Sequence, residues 1–324
     1  MATSRSWKPG PQLEGPFPAR LEDVPGLNQV FSDAFTERYR RDGMVGVRVP
    51  FLNPTVWRYA IEDAAGGALC WRASNGEIVA FNMVHRSGTE GWMGPLAVRQ
   101  DFQGAGVGKE VVRRGVEWLK DAGAAVIGLE TMPRTLDNIG FYSTQGFTPG
   151  RLTLTTTLEA EHGARPPRLY GRLPSAEKDH ALAACRALLD GLLPGYDHTR
   201  EIALTDDLAL GDTALLHDGD ELVGFALCHT VPLVEGRMRE ELRVLKLALA
   251  DARYFEPMLA TLRDFARRSG TRRVAIRMQG EYTAAYARLI ALGGRVRWSD
   301  LRMTLAGYDE KVPPRGLVLS NWEI

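Results

Sequence analysis

Between Trp92 and Leu119 the chain changes character three times within one short stretch. An apolar run, Met93 to Val98, ends in polar Arg99-Gln100-Asp101, and glycines then stand at 104, 106 and 108. From there Val107, Val111, Val112, Val116, Trp118 and Leu119 recur at roughly helical spacing. The pattern reads as strand, glycine loop and helix. Such a loop is commonly an anion seat, because the first-turn N–H groups lack intrahelical partners and the helix dipole favours negative charge there.

The spacing narrows which phosphate the loop would hold. A Walker A loop needs glycine where Gln103 stands and Ser or Thr where Glu110 stands, and a dinucleotide fingerprint needs glycine at Lys109. What fits is Gln-x-x-Gly-x-Gly, met by Gln103, Gly106 and Gly108 and preceded by Leu96-Ala97-Val98. That resembles the pyrophosphate loop of the GNAT superfamily, the acyl-CoA-dependent N-acetyltransferases. A second segment, Asn138-Ile-Gly-Phe-Tyr142-Ser-Thr-Gln-Gly146-Phe147, follows one further strand and is similar to that family's Asn-x-x-Phe-Tyr-x-x-x-Gly-Phe signature.

The resemblance implies a set of roles. Backbone N–H groups across Gln103, Gly104, Ala105, Gly106, Val107, Gly108 and Lys109 would bind the CoA pyrophosphate. Leu96, Ala97 and Val98 would pair with the pantetheine arm and offer an oxyanion donor. Asn138 would bond the pantetheine or a loop carbonyl, with capping of a short helix an equal alternative. Tyr142 takes the place of the general acid, and an unperturbed phenol, with a pKa of about 10, can protonate a departing thiolate. Many relatives carry the general base as a glutamate at the position of Trp92. Glu90, two residues earlier and on the same strand face, is the expected base, acting through water; Glu130 and His85 compete, each with a structural alternative. Acetyl-CoA is the expected cosubstrate and no metal is expected. Phe51, Trp57 and Arg58 are candidates for an acceptor pocket or, for the aromatics, core.

At 324 residues the length suggests about two domains of roughly 150 residues. Lys plus Arg equals Asp plus Glu, 40 of each, so charge gives no reason to expect nucleic acid or an anionic membrane as partner. The start of the chain lacks the apolar segment of a signal peptide, and no run approaches the ~20 apolar residues of a membrane span, so a cytoplasmic location is expected. Cys70, Cys185 and Cys228 are too dispersed for a metal or redox motif and read as buried free thiols.

Along the chain, residues 1–19 read as a flexible arm and 20–160 as the catalytic domain: helices over Val24 to Tyr39 and from Asn53-Pro54, three meandering strands (68–73, 78–85, 92–98), the loop helix, strand 126–132, a short helix and a last strand, 151–158. Residues 161–171 read as a linker. Beyond it the chain repeats, because Glu77, Val79, Phe81 and His85 recur in the same spacing as Glu221, Val223, Phe225 and His229. The fold class expected is α/β: two tandem GNAT-like domains, each a mixed, largely antiparallel sheet flanked by helices, the second over 172–310 with a closing strand of its own at 296–305, and a tail over 311–324. In the second domain Ala248 to Tyr254 contains no glycine and Leu289 aligns with Tyr142, so only the first should work. The expected activity is transfer of an acetyl or other short acyl group to a primary amine of a small molecule or peptide, by direct attack in a ternary complex of a monomer or homodimer. The alternative is a non-catalytic acyl-CoA-binding or scaffold protein.

Overall fold

The computed structural model describes residues 13–323. Its first elements are strand β1 (Leu13–Pro18), helices α1 (Val24–Arg41) and α2 (Pro54–Asp63), and strands β2 (Ala68–Ala73), β3 (Ile78–Ser87) and β4 (Glu90–Val98). Then come α3 (Val107–Asp121), β5 (Val126–Thr131), α4 (Leu136–Ser143) and β6 (Phe147–Glu159). The second half runs β7 (Arg168–Leu169), α5 (Ser175–Leu192), α6 (Thr199–Asp207), β8 (Gly211–Asp218), β9 (Glu221–His229) and β10 (Glu241–Leu249). It closes with α7 (Phe255–Arg268), β11 (Arg273–Gln279), α8 (Thr283–Ala291), β12 (Arg295–Leu305) and β13 (Leu317–Ser320).

Local chemistry explains the helix starts. Asn53 caps α2, its side chain accepting from Thr55 N at 3.0 Å, and Pro54 sits in the first turn, where no helical N–H is needed. Buried Asn28 on α1 fixes the segment between the two helices: it donates to Leu52 O at 2.9 Å and accepts from Leu52 N at 2.9 Å and Trp57 Nε1 at 2.7 Å. Every polar atom of that amide group is thereby engaged with a neighbour that would otherwise be buried unpaired.

The described strands make one mixed sheet in the order β1-β2-β3-β4-β5-β12-β6-β11-β10-β9-β8-β7, with β13 added against β10. Two neighbouring pairs are parallel, β4 with β5 and β10 with β11, and the rest are antiparallel. The halves therefore repeat one plan, as expected, but they do not keep their own closing strands. β12, from the second half, lies between β5 and β6, and β6, from the first half, pairs with β11. A cut between 160 and 172 divides the chain without dividing the sheet.

Three expected segments differ from what is found. The described part of the arm, Leu13–Pro18, is an edge strand on β2, while residues 1–12 lie outside the described residues. The linker contains β7, which pairs with β8. The tail contains β13, and beyond it Trp322 is fully buried. Both apolar sheet faces are covered. Trp57, Phe81 and Trp92 share one core with Leu189, Tyr196, Phe225, Leu245 and Trp322, so the halves bury a common interior. On the opposite face α3 and α4, the latter through Tyr142, cover Met93, Ile127, Leu129 and Met303.

Candidate active site

β4 and β5 run in parallel register from Glu90↔Val126 to Met93↔Leu129, and there the ladder stops. Gly94 and Pro95 follow, and Pro95 has no N–H to give to a neighbour. β4 continues to Val98 along β3, while β5 continues to Thr131 along β12. The two strands therefore splay, and the edge of Leu96 to Val98 that would have met β5 faces a cavity of about 690 Å³.

One end of this cavity is the glycine loop. Gly104 and Gly106 have φ of 79° and 85°, the left-handed region, and a side chain on either would project into open space. Gly106 is the N-cap of α3 and supplies no side-chain cap. The N–H groups of Val107, Gly108 and Lys109 thus have no helical carbonyl to meet. Gln103 Nε2 donates to Val98 O at 2.9 Å, which ties the loop to the end of β4. Gln103, Gly104, Gly106, Gly108 and Lys109 all border the cavity together with Leu96, Ala97 and Val98. Ala105 and Val107 contribute no lining atom; the Val107 side chain packs against Val111 and Phe102 beneath the loop.

The middle of the cavity is bordered by α4. Tyr142 is 7% exposed, its ring edge-on to Phe141 and Phe147, and burial pushes its phenol above the usual range, so it stays protonated. Asn138 borders the cavity and donates to Thr131 Oγ1 at 3.4 Å, whereas the N-cap of α4 is Thr135. Of the two readings of Asn138, helix capping is the one the structure does not support.

The far end carries charge. Glu130 on β5 is fully enclosed: Oε1 accepts from Arg302 Nε at 2.9 Å and from Thr153, and Oε2 from Arg277 Nη2 at 2.6 Å. The Arg277 and Arg302 guanidiniums outweigh desolvation and hold this carboxyl down at about 2. Asp300 on β12 lies beside it, 3% exposed, with Oδ1 accepting from Trp298 Nε1 at 3.1 Å. Burial, with the Glu323 carboxylate adding to it, raises Asp300 to about 7. Glu323 meets Arg277 Nη1 at 2.9 Å, and its side chain remains 48% exposed at the cavity. The rings of Tyr39 and Trp298, 6.3 Å apart, complete this wall.

The expected base is not there. Glu90 is fully buried behind the sheet and borders no part of the cavity; its carboxylate accepts from Ser320 Oγ at 2.7 Å and Trp322 Nε1 at 2.8 Å, with Lys246 Nζ at 3.7 Å. The reason is the docking of the C-terminal segment, which consumes both oxygens. His85 is equally enclosed, bonded to Asp63 at 2.7 Å and stacked on Trp92. Phe51, Trp57 and Arg58 do not border the cavity either: Trp57 is core and Arg58 pairs with Glu62 on the surface. The residues missed by sequence reasoning, Asp300, Trp298, Trp322 and Glu323, all come from the second half, and no local signal marks them. They reach the cavity only through strand exchange and the return of the C-terminal segment.

The second half has the same splay, already filled. β10 and β11 pair from Glu241↔Arg273 to Val244↔Ile276 and then separate. Into that gap goes β13, antiparallel to β10 with Leu247↔Leu319 and Leu249↔Leu317. Leu289, at the place of Tyr142, is fully buried. Among the described residues no group of three or more His, Cys, Asp or Glu is placed to hold a metal, and no helix is long and apolar enough to cross a membrane.

Comparison with known proteins agrees with this geometry. Residues 28–147 match the acetyltransferase (GNAT) family model. The chain has the fold of a protein from Pyrococcus horikoshii assigned as an acetyltransferase, with TM-score 0.66 and 16% identity over 99% of this chain and 98% of that one. A tandem GNAT protein from the clavulanic acid biosynthesis pathway aligns with TM-score 0.58 and 13% identity over 90% and 98% of the two chains. The N-myristoyltransferase of Saccharomyces cerevisiae with bound myristoyl-CoA aligns with TM-score 0.60 and 9% identity over 93% and 81%. No curated protein matches the sequence.

Proposed function

We propose that this chain, whose residues 28–147 match the acetyltransferase (GNAT) family model and whose fold is shared with a tandem GNAT protein, transfers an acetyl or other short acyl group from acyl-CoA to a primary amine by direct attack in a ternary complex. The observation that carries the reading is the single cavity joining a glycine loop, an unpaired strand edge, the Tyr142 phenol and a carboxylate-lined end. Each part has a matching task. The loop amides at the start of α3 hold the pyrophosphate, since Gly104 and Gly106 leave open space where side chains would stand. The edge of Leu96 to Val98 takes the pantetheine arm as a further strand. In the second half the chain's own β13 takes the corresponding slot, which supports reading the slot as one that accepts an extended polar chain. N–H groups of that edge left free by β3 face the thioester carbonyl and stabilise the oxyanion. Tyr142 supplies a proton to the departing sulfur.

The acceptor enters from the carboxylate end, where Asp300 and Glu323 border the cavity and favour a cationic amine. The test has two stages. Calorimetry should show acetyl-CoA binding. A panel of primary amines and peptides, scored by release of free CoA thiol, should then show turnover above the rate of hydrolysis without acceptor. Binding without turnover across the panel would leave a non-catalytic acyl-CoA-binding protein.

A further inference from the structure

Resting on that functional reading, we infer that Asp300, a residue of the second half, is the base that takes the proton from the acceptor ammonium, so that the working site is assembled from both halves of the chain.

The argument begins with strand alternation on β12. Leu301 and Met303 face α3 and α4, packed with Leu129 and Ile127. Trp298, Asp300 and Arg302 therefore face the other way, to the side where Glu130 and Trp322 stand. β12 lies directly against β5, with Leu301↔Thr131 and Arg302↔Glu130, so Asp300 emerges just beyond the last residue of β5, where the splay between β4 and β5 is open. Its position at the reacting end of the cavity follows from strand exchange alone.

Of the carboxylates that border this end, Asp300 is the one that is enclosed and keeps an oxygen accepting no hydrogen bond. Glu130 has both oxygens occupied by Arg277, Arg302 and Thr153. Glu323 is half-exposed and paired with Arg277. Asp300 is 3% exposed, and its Oδ1 is held by the Trp298 indole. Its Oδ2 accepts no hydrogen bond, although it forms an ion pair with Arg277 Nη2 at 3.0 Å. An enclosed carboxylate oxygen whose ion pair lies outside hydrogen-bond geometry still demands an N–H donor. The groups facing it are Trp298 on its own strand, Thr153 across on β6, Arg277 on β11, Glu130 on β5, Glu323 from the C-terminal segment and Tyr39 on α1. Burial first, and then Glu323 and Glu130, outweigh Arg277 and push this carboxyl up to about 7. That is where a base works best at ordinary pH.

The steps balance. The acceptor ammonium gives one N–H proton to Asp300 Oδ2, and the freed lone pair on nitrogen forms the C–N bond at the thioester carbon. As the C–S bond breaks, the thiolate takes the Tyr142 Oη proton. The second proton still on nitrogen restores the phenol through solvent, and Asp300 releases its proton to bulk water. The net products are amide, free CoA thiol and one proton.

The experiment compares full-length wild type, D300N and D300E with acetyl-CoA and three probe amines, phenethylamine, tyramine and spermidine, from pH 5.5 to 9. Acetyl-CoA affinity is measured alongside by calorimetry, and folding by thermal melting. Expected is a wild-type kcat/KM that rises with pH through about 7, as deprotonated Asp300 accumulates. D300N should lose about 10²-fold in kcat and lose that inflection, with unchanged acetyl-CoA affinity, while D300E keeps the inflection and part of the rate. A D300N enzyme that holds kcat within a few-fold and inflects as wild type does would overturn the assignment, and so would a D300E enzyme that is folded and as slow as D300N. Absence of acetyl-CoA binding, or of turnover by wild type with all three amines, would instead overturn the functional reading and this inference with it.

Discussion

The indole Nε1 of Trp322 donates to Oε1 of Glu90 at 2.8 Å, joining the C-terminal end of the described residues to the first residue of β4. The Trp322 ring also lies against the β5 backbone: a Cβ on Gly128 would stand 2.2 Å from its Cζ3, so only glycine permits that approach. The C-terminal segment is thereby locked into the first half's sheet. Glu90 serves that lock.

Replacing Glu90 therefore tests architecture rather than chemistry. Glu90→Gln keeps an acceptor for Trp322 but leaves Lys246 facing a neutral group, so melting temperature should fall while kcat, measured on folded enzyme, stays within a few-fold of wild type. A loss of 10²-fold or more in a folded Glu90→Gln protein would return Glu90 to the list of bases.

At the loop, Gly106→Asp places a carboxylate in the open space where the pyrophosphate would sit, at a left-handed φ of 85° that Asp tolerates better than most residues. Acetyl-CoA affinity should drop by at least about tenfold by calorimetry, since a like charge faces the phosphates, with little change in melting temperature. Unchanged affinity would move the phosphate seat elsewhere.

For the acid, Tyr142→Phe removes one hydroxyl from a ring held by Phe141 and Phe147. Turnover should fall by about 10²-fold with acetyl-CoA affinity retained. Wild-type turnover in steady-state assays would leave Tyr142 as a packing residue.

Stoichiometry follows from β13. Because Leu317–Ser320 fills the second splay, titration should give one acetyl-CoA per chain, and a fragment ending near 160 should not form a stable domain, since β5 would lose β12 as its neighbour. Two equivalent sites, or a folded and active fragment 1–160, would contradict the exchanged sheet.

The Glu130 cluster sets an acid limit to stability. Its folded pKa of about 2 lies below the ordinary value for a glutamate, so its contribution is complete above that ordinary value, about 4.3, and is lost as pH falls toward 2. Glu130→Gln should flatten that part of the stability profile and also lower stability at neutral pH, because buried Arg277 and Arg302 would lose the carboxylate they share and keep only Asp300 and Glu323, and Glu310, respectively. Denaturant melts between pH 3 and 7 measure both effects.

Much of the first half was legible because its signals are local. Gly104, Gly106 and Gly108 mark a loop whose backbone must take left-handed angles, Asn53-Pro54 marks a helix start, and the alternation and periodicity on either side give strand and helix. The second half could be read as a repeat, and its lack of a glycine loop as a lost phosphate seat, on the same local grounds. Glu90 was misjudged because strand periodicity gives the face on which a side chain lies but not what covers that face.

The sequence by itself thus determined most of the order of elements in the first half, the glycine loop and the half that carries it. Only the tertiary structure decided that β12 and β6 change places, that β13 closes the second splay, and that Asp300, Trp322 and Glu323 gather beside Glu130. The physical reason is that backbone ladders between distant strands are chosen by whichever free edge and register bury the most apolar surface. That choice depends on the whole assembled sheet, and no window of residues along the chain encodes it.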